Sequence, residues 1–78
     1  MSLTYLERRN PHRNEARYYM VRVLPTLFGE WAVVREWGRI GSPGTVRTEW
    51  FGSEEAARTA GGKLADSKVR RGYRRAES

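Results

Sequence analysis

A chain of 78 residues with 15 Lys+Arg against 9 Asp+Glu, a formal charge of +6 and no cysteine is long enough for one small domain, residues 1–78, with a thin core. Its apolar share of 38% and charged share of 31% are those of a globular rather than a disordered protein. Lack of cysteine excludes disulfides, thiolate zinc sites and cysteine nucleophiles together and suits a reducing compartment. The first nine residues hold no apolar run of signal-peptide length, and no stretch is long enough to span a membrane, so a soluble cytoplasmic protein without membrane contact is expected.

Of the 15 basic residues, 13 are arginine and only Lys63 and Lys68 are lysine. Arginine forks onto phosphate and stacks on flat rings. G+C-rich codon usage enriches arginine too, so placement matters more than number. Residues 63–78 hold Lys63, Lys68, Arg70, Arg71, Arg74 and Arg75 against Asp66 and Glu77, a net of +4 that leaves +2 for residues 1–62.

Leu3 and Tyr5 alternate with polar residues and predict a first strand of about five to seven residues. The polar run 9–15 breaks it. Residues 18–24 are aromatic and β-branched and stop at Pro25, which has no N–H for a ladder. A turn over 25–29 leads to a strand over 31–37 in hairpin relation to the last. Gly38, Gly41 and Gly44 punctuate a tight loop, and Thr45–Phe51 forms the next strand, with Val46, Thr48 and Trp50 on one face and Arg47, Glu49 and Phe51 on the other. Ser53 reads as an N-cap, with Glu54 and Glu55 in the first helical turn. The helix is predicted over 53–70, with Ala57, Ala60, Leu64 and Ala65 as its apolar stripe. Gly61 and Gly62 within it mean either very close packing on the sheet or local weakness. Gly72 reads as the stop, and residues from Tyr73 onward as a short final strand. The order predicts an α+β domain, an antiparallel sheet of four to five strands with one helix on one face. A single helix leaves the other face exposing aromatic and arginine side chains.

The only histidine is His12, in a polar loop, and the only aspartate is Asp66. No catalytic triad can be assembled from them, and no metal site, since one histidine without cysteine or clustered carboxylates makes no first shell. The chain is therefore read as a non-enzyme without cofactor. The glycines at every third position join two strands rather than a strand and a helix, which separates them from dinucleotide and P-loop fingerprints. Alone they describe a hairpin turn.

Taken with their neighbours they say more. Trp37-Gly38-Arg39-Ile40-Gly41, with Gly44 just beyond, resembles the signature of the WGR domain, found in poly(ADP-ribose) polymerases and in small stand-alone bacterial proteins. Arg17-Tyr18-Tyr19 resembles that family's strand start, Phe51-Gly52-Ser53-Glu54-Glu55-Ala56 its strand-to-helix junction, and Lys68-Val69-Arg70-Arg71-Gly72-Tyr73 its closing Lys-x-x-Lys-Gly-Tyr. The resemblance spans nearly the whole chain. It implies a twisted antiparallel sheet with one helix and, from the polymerases, a DNA-binding role. There the motif tryptophan packs against a sugar at a strand break and the motif arginine serves phosphate and neighbouring-domain contacts; these positions are Trp37 and Arg39. Thr45 stands where the family often has glutamine, Arg47 where it usually has lysine, and Ala60-Gly61-Gly62 where a bulky apolar residue is common.

The expected function is recognition of the DNA backbone, at ends or nicks, by Trp37, Gly38, Arg39 and Arg47 with a basic patch of Lys63, Lys68, Arg70, Arg71, Arg74 and Arg75. An indole face is a stacking platform and guanidinium groups neutralise phosphate. No helix presents base-reading side chains, so structure and charge rather than sequence set specificity. RNA as the ligand, and a protein-interaction or regulatory role in a DNA-repair or ADP-ribosylation-type system, are the alternatives. Trp37 as a core residue, and the basic run as a solvated helix end, remain open at this level. Trp31, Trp50, Tyr18 and Tyr19 are assigned to the core.

Overall fold

The computed structural model describes residues 2–76. Five antiparallel strands form one sheet in the order β4-β3-β2-β1-β5: β1 (Ser2–Asn10), β2 (Glu15–Pro25), β3 (Trp31–Arg39), β4 (Thr45–Phe51) and β5 (Arg74–Arg75). One helix, α1 (Glu54–Arg70), connects β4 to β5. The architecture is the expected α+β, with β4 and α1 where the sequence placed them.

The first three strands run longer than predicted. The polar segment after Arg9 does not end the sheet, because a short 3₁₀ turn, Pro11–Arg13, reverses the chain at once. Asn10 Oδ1 accepts from the His12 amide at 3.2 Å, and Asn14, at φ 50°, donates its amide to the Pro11 carbonyl at 3.2 Å. Asparagine tolerates this left-handed conformation better than most residues. Arg9 and Asn10 therefore pair with Ala16 and Glu15. At the other end of the sheet Thr26 Oγ1 accepts from the Phe28 and Glu30 amides, each at 3.2 Å, which fixes the β2–β3 turn.

Parity then divides the sheet. Leu6, Tyr19, Val21, Val23 and Val33 point toward α1 and form the core with Ala57, Ala65 and Tyr73. Gly61 resolves the question of the helical glycines: a Cβ there would lie 3.1 Å from Val23 Cγ2 and 3.4 Å from Val21 Cγ1, so the helix rides on the β2 valines through a bare backbone, whereas a Cβ on Gly62 meets open space. Among the described residues no helix covers the opposite face. Tyr5 and Tyr18 stack there with centroids 6.1 Å apart, and the Tyr18 hydroxyl donates to Glu36 Oε2 at 2.6 Å, a bond to a carboxylate that raises its phenol pKa.

Trp50 corrects the sequence reading. It is 61% exposed, because it pairs with Ala32 on the uncovered side of edge strand β4. Tyr18 and Tyr19 are buried and Trp31 packs against the core, as expected. His12 is exposed.

The two helical glycines give opposite expectations in denaturant titrations. Gly62→Ala raises the unfolding free energy by about 1 kcal/mol, the difference in helix propensity. Gly61→Val lowers it by roughly 1–3 kcal/mol, since the branched side chain must enter space held by Val21 and Val23.

Candidate functional site

At the Arg39 end of the sheet lies an open cleft of about 420 Å³, lined by Arg13, Asn14, Glu15, Ala16, Arg17, Trp37, Gly38, Arg39 and Tyr73. Three features of the sequence build it. The first is the close approach of two glycines: a Cβ on Gly38 would lie 3.0 Å from the Gly44 Cα, and one on Gly44 would overlap the Tyr18 hydroxyl and the Trp37 carbonyl oxygen. With Gly41 at φ +88°, the recurring glycines are explained by backbone geometry.

The second is the end of α1. Gly72 takes φ +95°, its amide bonds to the Val69 carbonyl at 3.1 Å, and the Tyr73 amide reaches back to the Lys68 carbonyl at 3.1 Å. This is a Schellman stop. It turns Tyr73 inward, edge-on to Tyr19 with centroids 6.4 Å apart, and so makes it a wall of the cleft.

The third is strand register. Arg8 pairs with Arg17 and Arg17 with Arg39, so the three positions share the helix-bearing face, two residues along the strands from Leu6, Tyr19 and Trp37; Arg17 and Arg39 line the cleft, and Arg8 lines the groove beside β5. Like charges directly opposite on neighbouring strands repel. Glu15 Oε1 neutralises Arg8 at 3.1 Å, and Arg39 Nη1 donates to the Asn14 carbonyl at 3.2 Å. Among the described residues neither Arg13 nor Arg17 forms an ion pair. The cleft thus collects more positive charge than its own carboxylate offsets, the arrangement of an anion site.

Trp37 both packs against the core and borders the cleft. Its ring stacks on Tyr19, with centroids 6.2 Å apart and planes 25° from parallel. On its far side a second pocket, of about 320 Å³, is lined by Tyr19, Arg35, Trp37, Leu64, Ser67 and Lys68. Lys68 Nζ lies 4.9 Å from the Tyr19 ring centroid and 5.8 Å from that of Tyr73. Burial, with Arg71 and Arg35 nearby, pushes its ammonium pKa below the ordinary lysine value.

The other predicted site residues are dispersed. Arg47 stands on β4 opposite Arg35. Lys63 borders a shallow depression with Ser53, Glu55 and Thr59. Arg70 and Arg71 are exposed at the end of α1. On the edge strand, Arg74 pairs with Glu7 and Arg75 with Leu6, so the two face opposite sides and share a groove with Arg8 and Arg9. None of these six lines the cleft, whose added members Arg13, Asn14, Arg17 and Tyr73 were not among the candidates. The signal was present for Arg17: a turn over Thr26–Glu30 pairs it with Arg39, whereas Arg8 needed the 3₁₀ connection.

If the arginine row is held against its own repulsion, Arg17→Thr stabilises the free protein by roughly 0.2–1 kcal/mol. In denaturant unfolding at two salt concentrations the gain shrinks at the higher one as the charges are screened.

The WGR domain family matches residues 2–78. The uncharacterized protein y4dW of Sinorhizobium fredii (strain NBRC 101917 / NGR234) is 46% identical to the chain over 70 residues, 90% of this chain and 34% of that protein. The chain therefore spans about a third of that relative's length. No solved structure matches it. A match over nearly the full chain, taking in Trp37-Gly38-Arg39, which the structure places at the end of strand β3 and in the lining of the cleft rather than in a turn, establishes that the chain belongs to the WGR domain family.

Proposed function

We propose that this chain, acting as one unit over residues 1–78 in the cytoplasm, is a non-enzymatic nucleic-acid-binding module that holds the DNA backbone, at ends or nicks, in the cleft. The observation that carries the reading is the pair Arg17 and Arg39, matched across β2 and β3 and lining the cleft with Arg13 and the Trp37 indole, with Arg8 next to Arg17 on β1. A phosphate between these guanidinium groups relieves their repulsion, and each can fork onto its oxygens. Trp37 offers an apolar edge to the neighbouring sugar or base without reading sequence. RNA presents the same phosphates and is the competing ligand. Lys68, Arg70, Arg71, Arg74 and Arg75 lie outside the cleft and extend the positive field that steers a polyanion toward it; Arg47 and Lys63 contribute charge at longer range.

A protein-interaction role is the second reading, and a separate observation favours it. The uncovered face exposes Leu3, Val46 and Trp50 at 62%, 57% and 61%, and Leu27 and Phe28 at the β2–β3 turn are exposed at 97% and 88%. An apolar face of this kind suits a protein surface better than a phosphate backbone.

Fluorescence anisotropy with nicked, blunt and single-stranded DNA over a salt series separates the readings. The nucleic-acid reading expects affinity that falls steeply with salt, and Arg39→Ala lowering the log–log slope by about 0.9 for one lost phosphate contact. Arg39→Ala is the clean variant, since Trp37→Ala also removes packing on Tyr19. Binding absent at every salt concentration, with a protein captured after nuclease treatment and lost in Trp50→Ser, establishes the second reading instead.

A further inference from the structure

Two buried donors beside the pocket beyond Trp37 have no hydrogen-bond partner among the described residues. The Tyr19 hydroxyl and Arg35 Nε are both buried and make no hydrogen bond, although Tyr19 is only 2% exposed and buried polar groups are ordinarily satisfied. Both side chains line the pocket between α1 and β3, with Ser67 and Lys68 contributed by the helix. Every polar side chain of this lining can donate a hydrogen bond, and none carries a carboxylate. Glu49 meets Arg35 at Nη2 and at 3.7 Å, and Nε makes no hydrogen bond. Arg35 also faces Arg47 across the sheet, and Lys68 has Arg35 and Arg71 as charged neighbours. Unpartnered donors and mutually repelling cations around a pocket of about 320 Å³ have one common remedy, a small anion with several acceptor oxygens.

We propose that this pocket is a second oxyanion site, separate from the cleft, that seats a phosphate group on Tyr19 Oη, Arg35 Nε and Lys68 Nζ. The two donors from the sheet are shielded from solvent, and the Lys68 side chain lying across the Tyr19 ring is their flexible cover: four rotatable bonds let it swing out and close again over the bound anion. Trp37 is the partition, lining the cleft on one side and this pocket on the other. The phosphate comes either from a nucleic-acid strand that crosses Trp37, with one phosphate on each side of the indole, or from a free phosphate compound. The site requires no nucleic acid, so it stands or falls independently of the reading above.

The test is titration of the full chain with inorganic phosphate at constant ionic strength, following the Arg35 Nε–Hε signal by NMR. The expected result is a saturable shift, with the apparent affinity weakened about tenfold in Tyr19→Phe, which keeps the ring and removes only the hydroxyl. Lys68→Gln, which removes the charge, weakens it as well. Addition of a DNA oligonucleotide then distinguishes the sources: displacement of phosphate with the Arg35 shift retained places a strand phosphate in the pocket, and phosphate binding undisturbed by DNA assigns it to a free phosphate compound. An Arg35 signal that phosphate leaves in place, or a titration identical in wild type and Tyr19→Phe, overturns the proposal.

Discussion

Because β2 pairs along its length with β1 on one side and β3 on the other, one choice of parity decides the face of nearly every side chain in the molecule. Tyr19, Val21 and Val23 must lie under α1, since only their face is covered and Gly61 fits only against the valines. A slip of one residue would turn them to solvent and bring Tyr18, Met20 and Arg22 inward. Arg17 follows from the same constraint, two residues before Tyr19 and beyond the reach of the helix. Its neighbours Arg8 and Arg39 are fixed by ladders with the same register. Core packing and the arginine row are thus one geometric fact, and hydrophobic burial holds in place a set of charges that would otherwise separate.

Much of this was legible in the chain itself. Thr45–Phe51 alternates clearly and is bounded by Gly44 and Gly52, so its limits and its two faces could be read directly. Ser53 caps α1 through its hydroxyl, which accepts from the Ala56 amide at 3.1 Å, and the capping signature with two glutamates after it fixes the helix start. The longer strands were less legible, because Arg9, Asn10, Glu15 and Ala16 have weak strand propensity and are held in the sheet by the 3₁₀ turn between them. Trp50 shows a different limit: alternation separates the faces of a strand but does not say which face the helix covers.

The site was legible at its centre and dispersed at its margins. The Trp37-Gly38-Arg39 motif was recognisable, although it ends a strand rather than making a turn, and Gly38 and Gly44 beside it are required by backbone contact. Density of basic residues from Lys63 onward was a poorer guide, since consecutive positions on a helix or strand point in different directions: Arg74 and Arg75 face opposite sides of β5, and Lys63 lies with Glu55 on the outer surface of α1. Charge that converges comes instead from residues distant in sequence, Arg8, Arg17 and Arg39, one on each of three strands. Arg35 and Lys68, which meet around the second pocket, likewise come from β3 and α1. Register, rather than local density, concentrates positive charge in this fold.

The central claim is that the arginines brought together by register, and not those clustered in sequence, meet the nucleic acid. Arginine side-chain NMR signals followed while a nicked duplex is added at low salt test it most directly. The account predicts that the Arg17 and Arg39 Nε–Hε signals shift together and first, with those of Arg22 and Arg58, which lie outside the cleft, left in place. Shifts concentrated at Arg70, Arg71, Arg74 and Arg75, with Arg17 and Arg39 unmoved, would contradict it.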